Sequence, residues 1–273
     1  MVTRGERVVA YVVLATFSVI AVVPILTVLL VALNPRDAQI SGFSWPTQIH
    51  WATFAEAWNI AHLSTYLRSS LIVAACVVVA STVISVLAGY AFGTMRFRGS
   101  NVLFYLLLTG MLLPFEAVII PLYYDLRQLG LTNTYAALIL PQVGLNVCFG
   151  TFWMRAYFRT VPRTLMEAAE IDGAGSLRTL VQVVLPPGRP AVFTLVVLLF
   201  MWSWNEFLLP LVMVTDDNLR TAPLGLAFFV GQHSTDRIGM AAAAVIVSLP
   251  VVLLFVFFQR SFIRGAATGA LKE

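Results

Sequence analysis

From Val8 to Leu33 this chain runs 26 residues without a charged side chain, closing on Asn34-Pro35. About 20 mainly apolar residues in a helix cross the hydrocarbon core of a bilayer. A secretory signal carries an apolar region of roughly 7–15 residues, so the run reads as a retained first span. Comparable runs follow at Ser69–Met95, Val102–Tyr124, Thr134–Met154, about 190–214 and Ile238–Gln259. In lipid every backbone polar group must be satisfied internally, which leaves helices for runs of this length. The expectation is an all-α integral membrane protein of six transmembrane helices, organised as a single transmembrane domain over residues 1–273.

Composition agrees where it bears on that expectation. Only 11% of the residues are charged and 59% are hydrophobic, against roughly 25% charged in a soluble domain. The net charge of +4 is spread singly between apolar runs, a topology pattern that gives no nucleic acid a basic face to bind. Cys76 and Cys148 lie deep in apolar runs and read as small buried hydrophobes, with no disulfide, metal or nucleophilic role.

The 17 basic residues divide unevenly between the two ends of the spans. Arg4, Arg7, Arg96, Arg98, Arg155, Arg159, Arg163, Arg178, Arg189, Arg260, Arg264 and Lys272 share one side; Arg36, Arg68, Arg127, Arg220 and Arg237 share the other. Basic residues concentrate in cytoplasmic loops, so both termini are expected in the cytoplasm. The outer loops are then Pro35–Tyr66, whose Trp45, Trp51 and Trp58 suit a helix lying at the interface, and the polar stretch Thr215–Gly239.

The most informative segment is the cytoplasmic loop 160–187. Pro162 suits a helix start, Gly173 suits a left-handed helix end, and Pro186-Pro187 stops a second short helix. On the first helix Leu165, Ala168, Ala169 and Asp172 are expected on one face. The two alanines keep that face low for a close protein partner, and Glu167 beside it is placed to pair with a basic residue across the contact. An interfacial helix that covers the ends of its own bundle would show the same composition.

The run Glu167-Ala168-Ala169, Asp172-Gly173-Ala174, Leu185-Pro186 resembles the EAA loop of ATP-binding-cassette importer permeases. The resemblance implies a coupling helix seated in a cleft of an ATPase subunit. It extends to the carbohydrate-uptake branch through Gly89-Tyr90-Ala91-Phe92 with Arg96-Phe97-Arg98-Gly99, Ile120-Pro121-Leu122-Tyr123, Leu129 to Tyr135, Leu138-Ile139-Leu140-Pro141 and Trp204-Asn205-Glu206-Phe207. The tail from Gly265 through Gly269 to Lys272 is similar to the ending of the second permease of maltose-type systems, where it reaches the ATPase. Here it closes Leu-Lys-Glu in place of the usual Val-Lys-Gly.

The family resemblance implies a subunit of a bacterial or archaeal plasma-membrane importer for a sugar. Its partners would be a second permease subunit, an ATPase dimer, an extracytoplasmic sugar-binding protein and the surrounding membrane lipid. Another solute, such as a glycerol-phosphate compound or an amino acid, is the alternative, followed by an ion-driven secondary transporter. No Gly-x-x-x-x-Gly-Lys-Ser/Thr loop occurs and Lys272 is the only lysine. The chain is therefore expected to have no catalytic residues, no metal and no cofactor of its own, with ATP and Mg on the partner ATPase.

Two acids interrupt apolar runs, Glu116 after Pro114 and Glu206 after Asn205. A charge at the bilayer centre costs at least about 2.5–3.5 kcal/mol, so such residues face an interior or a water-filled cavity. One reading has Asn205, Glu206 and Glu116 line a substrate path, with Trp202 or Trp204 stacking on sugar rings. The other has them satisfied by polar groups nearby. In maltose-type systems the other permease holds most of the substrate, and the loop at Thr215–Gly239 stands where a loop probes the binding protein.

Overall fold

A computed structural model describes residues 4–38, 45–46, 49–231 and 235–270, with side chains as far as Gln259. The described chain is helical. In order it contains α1 (Arg4–Ala32), α2 (Ala52–Ile60), α3 (Leu63–Thr94), α4 (Ser100–Thr109), α5 (Phe115–Gln128) and α6 (Tyr135–Phe158). Then come α7 (Arg163–Ile171), α8 (Ser176–Arg178), α9 (Arg189–Trp204), α10 (Leu208–Met213), α11 (Ala222–Gly225) and α12 (Arg237–Ala270). Four helices are long and apolar enough to cross a bilayer unbroken: α1, α3, α6 and α12 as far as Gln259.

The other two expected spans are interrupted, the first at a proline and the second just before a helix with proline at its third position. The stretch 102–124 comprises α4, a 3₁₀ turn at Gly110–Leu112, an extended Leu113 (φ −73°, ψ 123°) and then α5. Pro114 has no N–H for the carbonyl of Gly110 and forces its predecessor out of the helical region. The stretch 190–214 comprises α9, a break at Asn205–Phe207, and α10. Pro210 likewise has no N–H for the carbonyl of Glu206. Periodicity and hydropathy read straight through both breaks. The second span also starts earlier than expected, at Leu63.

The chain divides into two compact units, residues 1–67 with 222–249 and residues 68–221 with 250–273. In the first, Ala32, Ala57, Ala61, Leu63, Ala222, Phe229, Ala242, Ala243 and Val247 form the core. Its alanines let backbones approach where no water drives helices together. The α2 helix lies within the Pro35–Tyr66 stretch where a helix was expected, and the Thr53 hydroxyl donates to the Asn34 carbonyl at 2.9 Å. Arg36 pairs with Asp236, whose other oxygen accepts from the Gly239 amide at 2.8 Å at the start of α12.

In the second unit α3 and α6 meet along a seam of missing side chains. A Cβ on Gly89 would lie 2.5 Å from the Met154 Cβ, and one on Gly93 would lie 2.8 Å from the Phe158 Cβ. Around this seam lie two apolar clusters. Val73, Val77, Ile119, Leu138, Leu209 and Met213 join α3, α5, α6 and α10; Tyr90, Met154, Phe158, Leu180, Val184 and Leu195 join α3, α6, α9 and the segment after α7. Cys76 is exposed and Cys148 half-buried, contrary to the expectation of buried thiols. An apolar run marks a lipid environment, and in lipid an apolar side chain gains nothing by facing inward.

Candidate functional site

The segment that follows α6 is a compact helical block. Pro162 (φ −59°, ψ 133°) precedes α7, one position outside the helix it was expected to begin. At the other end Gly173 takes φ 76°. Its amide donates to Glu170 O at 3.0 Å and the Ala174 amide donates to Ala169 O at 2.9 Å. This pair of bonds is the left-handed glycine cap that saturates the last carbonyls of a helix.

After Ser176–Arg178 the chain widens into a π turn over Thr179–Val184, with the Leu185 amide donating to Leu180 O at 2.8 Å. Thr179, Leu180 and Val184 are buried. The Tyr157 hydroxyl of α6 donates to Val184 O at 2.9 Å, and the Trp153 indole donates to Ala191 O at 3.0 Å. Half-buried Leu185 and Pro186 then lead through the double proline, and the axis turns 92° into α9. The block is thus fastened to the ends of two long helices on both sides.

The face of α7 differs from the one expected. Ala169 is 6% exposed and turns toward its own protein, whereas Glu167, Ala168 and Asp172 are exposed together with Leu165. Positions 168 and 169 lie about 100° apart around a helix, so one alanine seats the helix and the other faces outward. Ile171 (87% exposed) extends the outward apolar surface. Among the described residues Glu167 and Asp172 make no ion pair. A cleft of about 420 Å³ runs between the end of α3 and α7, lined among others by Tyr90, Arg96, Arg163, Glu167, Glu170 and Ala174.

The candidates at the helix breaks have local partners. Glu206 Oε1 accepts from the Leu209 amide at 2.9 Å, taking up a free N–H at the start of α10. The Asn205 amide group donates to Met201 O at 2.7 Å, closing the end of α9. Trp204 is buried against Phe200, with ring centroids 5.3 Å apart, whereas Trp202 is exposed and meets Phe149 edge-on at 4.8 Å. Glu116 is exposed in the first turn of α5, where the helix dipole favours an anion. α5 and α10 pack in the same cluster, through Ile119, Leu126, Leu209 and Met213.

Two contributors escaped the sequence reading. Asn133, at φ 59°, accepts from the Thr215 and Asp216 amides at 3.0 and 2.9 Å and anchors the start of that loop. Asparagine is among the few side chains that tolerate this left-handed backbone, the one signal its sequence offers. Arg155 donates to Phe92 O at 3.2 Å and lies 3.7 Å over the Phe104 ring. Gly265 and Gly269 fall within the α12 backbone, which continues unbroken to Ala270; Lys272 lies outside the described residues.

Broken and unbroken apolar helices, a capped amphipathic block at one end and no strand among the described residues define an all-α, multi-pass membrane transport component. More particularly, the chain belongs to the inner membrane components of binding-protein-dependent transport systems, whose family model matches residues 81–267 of 273. It is 31% identical to the diacetylchitobiose uptake system permease protein NgcG of Streptomyces coelicolor, over 98% of this chain and 90% of that one. It is 35% identical to the trehalose/maltose transport system permease protein MalG of Thermococcus litoralis, over 77% of this chain and 76% of that one. Among solved structures it is similar in fold, at 22% identity and a TM-score of 0.80, to a chain of a bacterial ABC transporter involved in alginate import; the match covers 96% of this chain and 99% of that one.

Proposed function

We propose that the chain is one of two membrane halves of an ATP-driven sugar importer, with both termini and α7 in the cytoplasm and α7 as the contact with an ATPase dimer. The observation that carries this reading is the block from Arg163 to Val184. It offers Leu165, Glu167, Ala168, Ile171 and Asp172 outward while Ala169, Leu180 and Val184 hold it to the ends of α3, α6 and α9. An ATPase closing on ATP would move α7, and the fastened helices would transmit that motion into the spans. Leu185 and Pro186 set the turn between block and span, and the Gly265–Lys272 tail is a second contact with the ATPase.

The sugar assignment is supported by relatives whose names specify diacetylchitobiose and trehalose or maltose. A soluble binding protein outside the membrane delivers the solute, and a second permease completes the path. In this chain Trp202 is the exposed tryptophan beside the α9 break, and is the residue offered to a sugar ring; Glu206, Asn205 and Glu116 shape the breaks around it.

Reconstitution of the chain with its second permease, ATPase and binding protein in vesicles tests the reading. Sugar uptake should require both ATP and the binding protein. Uptake that persists without the ATPase and collapses with an uncoupler would instead identify an ion-driven carrier. Calorimetry of the binding protein against sugars, glycerol phosphates and amino acids separates the solute classes.

A further inference from the structure

A second cavity, of about 680 Å³, lies beside the α7 cleft and is lined by Arg96, Arg98, Arg155, Arg159 and Arg163, with the start of α4 from Gly99 to Val102. Among the described residues no acid lines it. Glu167 and Glu170 line the neighbouring cleft, which shares Arg96 and Arg163; Arg98, Arg155 and Arg159 line only the cavity in which no described acid takes part. The guanidinium groups of Arg98 and Arg159 make no ion pair or hydrogen bond among the described residues. Guanidinium groups stay protonated at any ordinary pH, so the cavity holds like charges that repel one another until an anion enters.

The backbone adds to this field. α4 is ten residues long and starts behind Gly99 (φ 84°), which supplies no capping side chain. Its positive dipole end and first-turn amides border the cavity, an arrangement that binds phosphate groups. The guanidinium of Arg155 is already fixed by the Phe92 carbonyl and the Phe104 ring, so little freedom is lost when it engages an anion.

The same two helices carry an apolar groove of about 480 Å³, lined by Tyr105, Leu108, Thr109, Met111, Leu112 and Phe152. From Asn101 to Leu108 the rise along α4 is about 10 Å, and Phe152 precedes Arg155 by one turn of α6. Moving from cavity to groove is therefore moving away from the ends of α3 and α6 and along the spans. A cationic pocket followed by an apolar channel on one helix pair has the dimensions of a head group followed by an acyl chain. Basic pockets between membrane helices recognise anionic lipid heads in this manner.

We propose that the arginine cavity and the α4–α6 groove together bind one anionic phospholipid of the surrounding bilayer, the phosphate among Arg98, Arg155 and Arg159 and an acyl chain against Leu108 and Leu112. The site is independent of which solute the chain carries. Because Arg96 and Arg163 also line the α7 cleft, the occupied head-group pocket adjoins the docking block.

Native mass spectrometry of the full chain, alone and assembled with its partner subunits, tests the site using phosphatidylglycerol, phosphatidylcholine, inorganic phosphate and glycerophosphoglycerol as separate probes. Phosphatidylglycerol should be retained in preference to phosphatidylcholine, and an Arg98→Gln/Arg159→Gln variant should weaken its retention by about tenfold. An Arg98→Lys/Arg159→Lys variant should retain most of it, and Thr109→Trp, which fills the groove, should lower it with all arginines intact. Arg127→Gln, outside the cavity, should leave retention unchanged. Equal retention of phosphatidylcholine, or of phosphatidylglycerol in the glutamine variant, overturns the proposal. Displacement by inorganic phosphate or the tail-less head group at equal concentration would show a free-anion site, and loss of the lipid on assembly would show that a partner protein covers the cavity; either result also overturns it.

Discussion

The block between α6 and α9 and the two proline breaks in the spans treat polar groups in opposite ways. On α7 the acids Glu167 and Asp172 are exposed and have no ion-pair partner among the described residues. At the α9–α10 break Glu206 and Asn205 are each bonded to backbone within four residues. Water solvates an exposed carboxylate at no cost, so α7 can hold its charges ready for another protein. Lipid solvates nothing polar, so a break in a membrane helix must bring its own donors and acceptors. The difference separates polar residues that the fold leaves outward and unpaired from polar residues that the fold consumes.

The largest effect should come from reversing a charge that the fold does not use. Glu167→Lys should leave protein yield and helicity unchanged, while a like charge facing a basic partner costs several kcal/mol. ATP-driven uptake in vesicles should then fall by about a hundredfold. Normal uptake with normal assembly of the complex would remove α7 from the coupling role.

The two alanines sharpen the same contrast on one helix. Ala169→Leu overfills a buried position and should destabilise the block by about 1–3 kcal/mol, seen as a lower melting temperature of the isolated chain. Ala168→Leu should leave that melting temperature alone and weaken co-purification of the ATPase. The reverse pattern would mean that the outward face has been assigned to the wrong side of α7.

At the breaks the effects should be smaller and should read out as stability. Glu206→Ala removes the acceptor for the Leu209 amide and should cost about 1 kcal/mol, whereas Glu206→Gln keeps an oxygen there and should cost less. A large loss of uptake in Glu206→Gln at unchanged stability would make Glu206 a residue of the solute path. The smallest change is expected from Glu116→Gln, at most about 0.5 kcal/mol for a dipole contact at an exposed position, measured in the same melting assay.

Much of this contrast was legible in the residues. The left-handed end of α7 at Gly173 followed from glycine's freedom at positive φ, and a helix within Pro35–Tyr66 followed from its three tryptophans. The breaks were not legible as breaks, although Pro114 and Pro210 were in plain view. Hydropathy sums a property of side chains and is blind to a backbone break, and proline alone does not mark one, since Pro24, Pro141 and Pro250 lie inside unbroken α1, α6 and α12. Cys76 was misjudged for a related reason, because an apolar environment in lipid is not the same as burial in protein.

By itself the sequence determined that the chain is an all-helical membrane protein and that its family is the inner membrane component of a binding-protein-dependent transport system. Uncharged runs of bilayer length have no other stable backbone solution, and the fixed positions from Glu167 to Pro186 are local in the chain. Tertiary structure alone decided which alanine of α7 faces outward, that Glu206 is spent on the Leu209 amide, and that five arginines from three segments enclose one cavity. The alanine's burial and the arginine cavity depend on segments far apart in sequence meeting at a shared helix end, which no local pattern encodes. The Glu206 bond spans three residues but exists only because the helix breaks there.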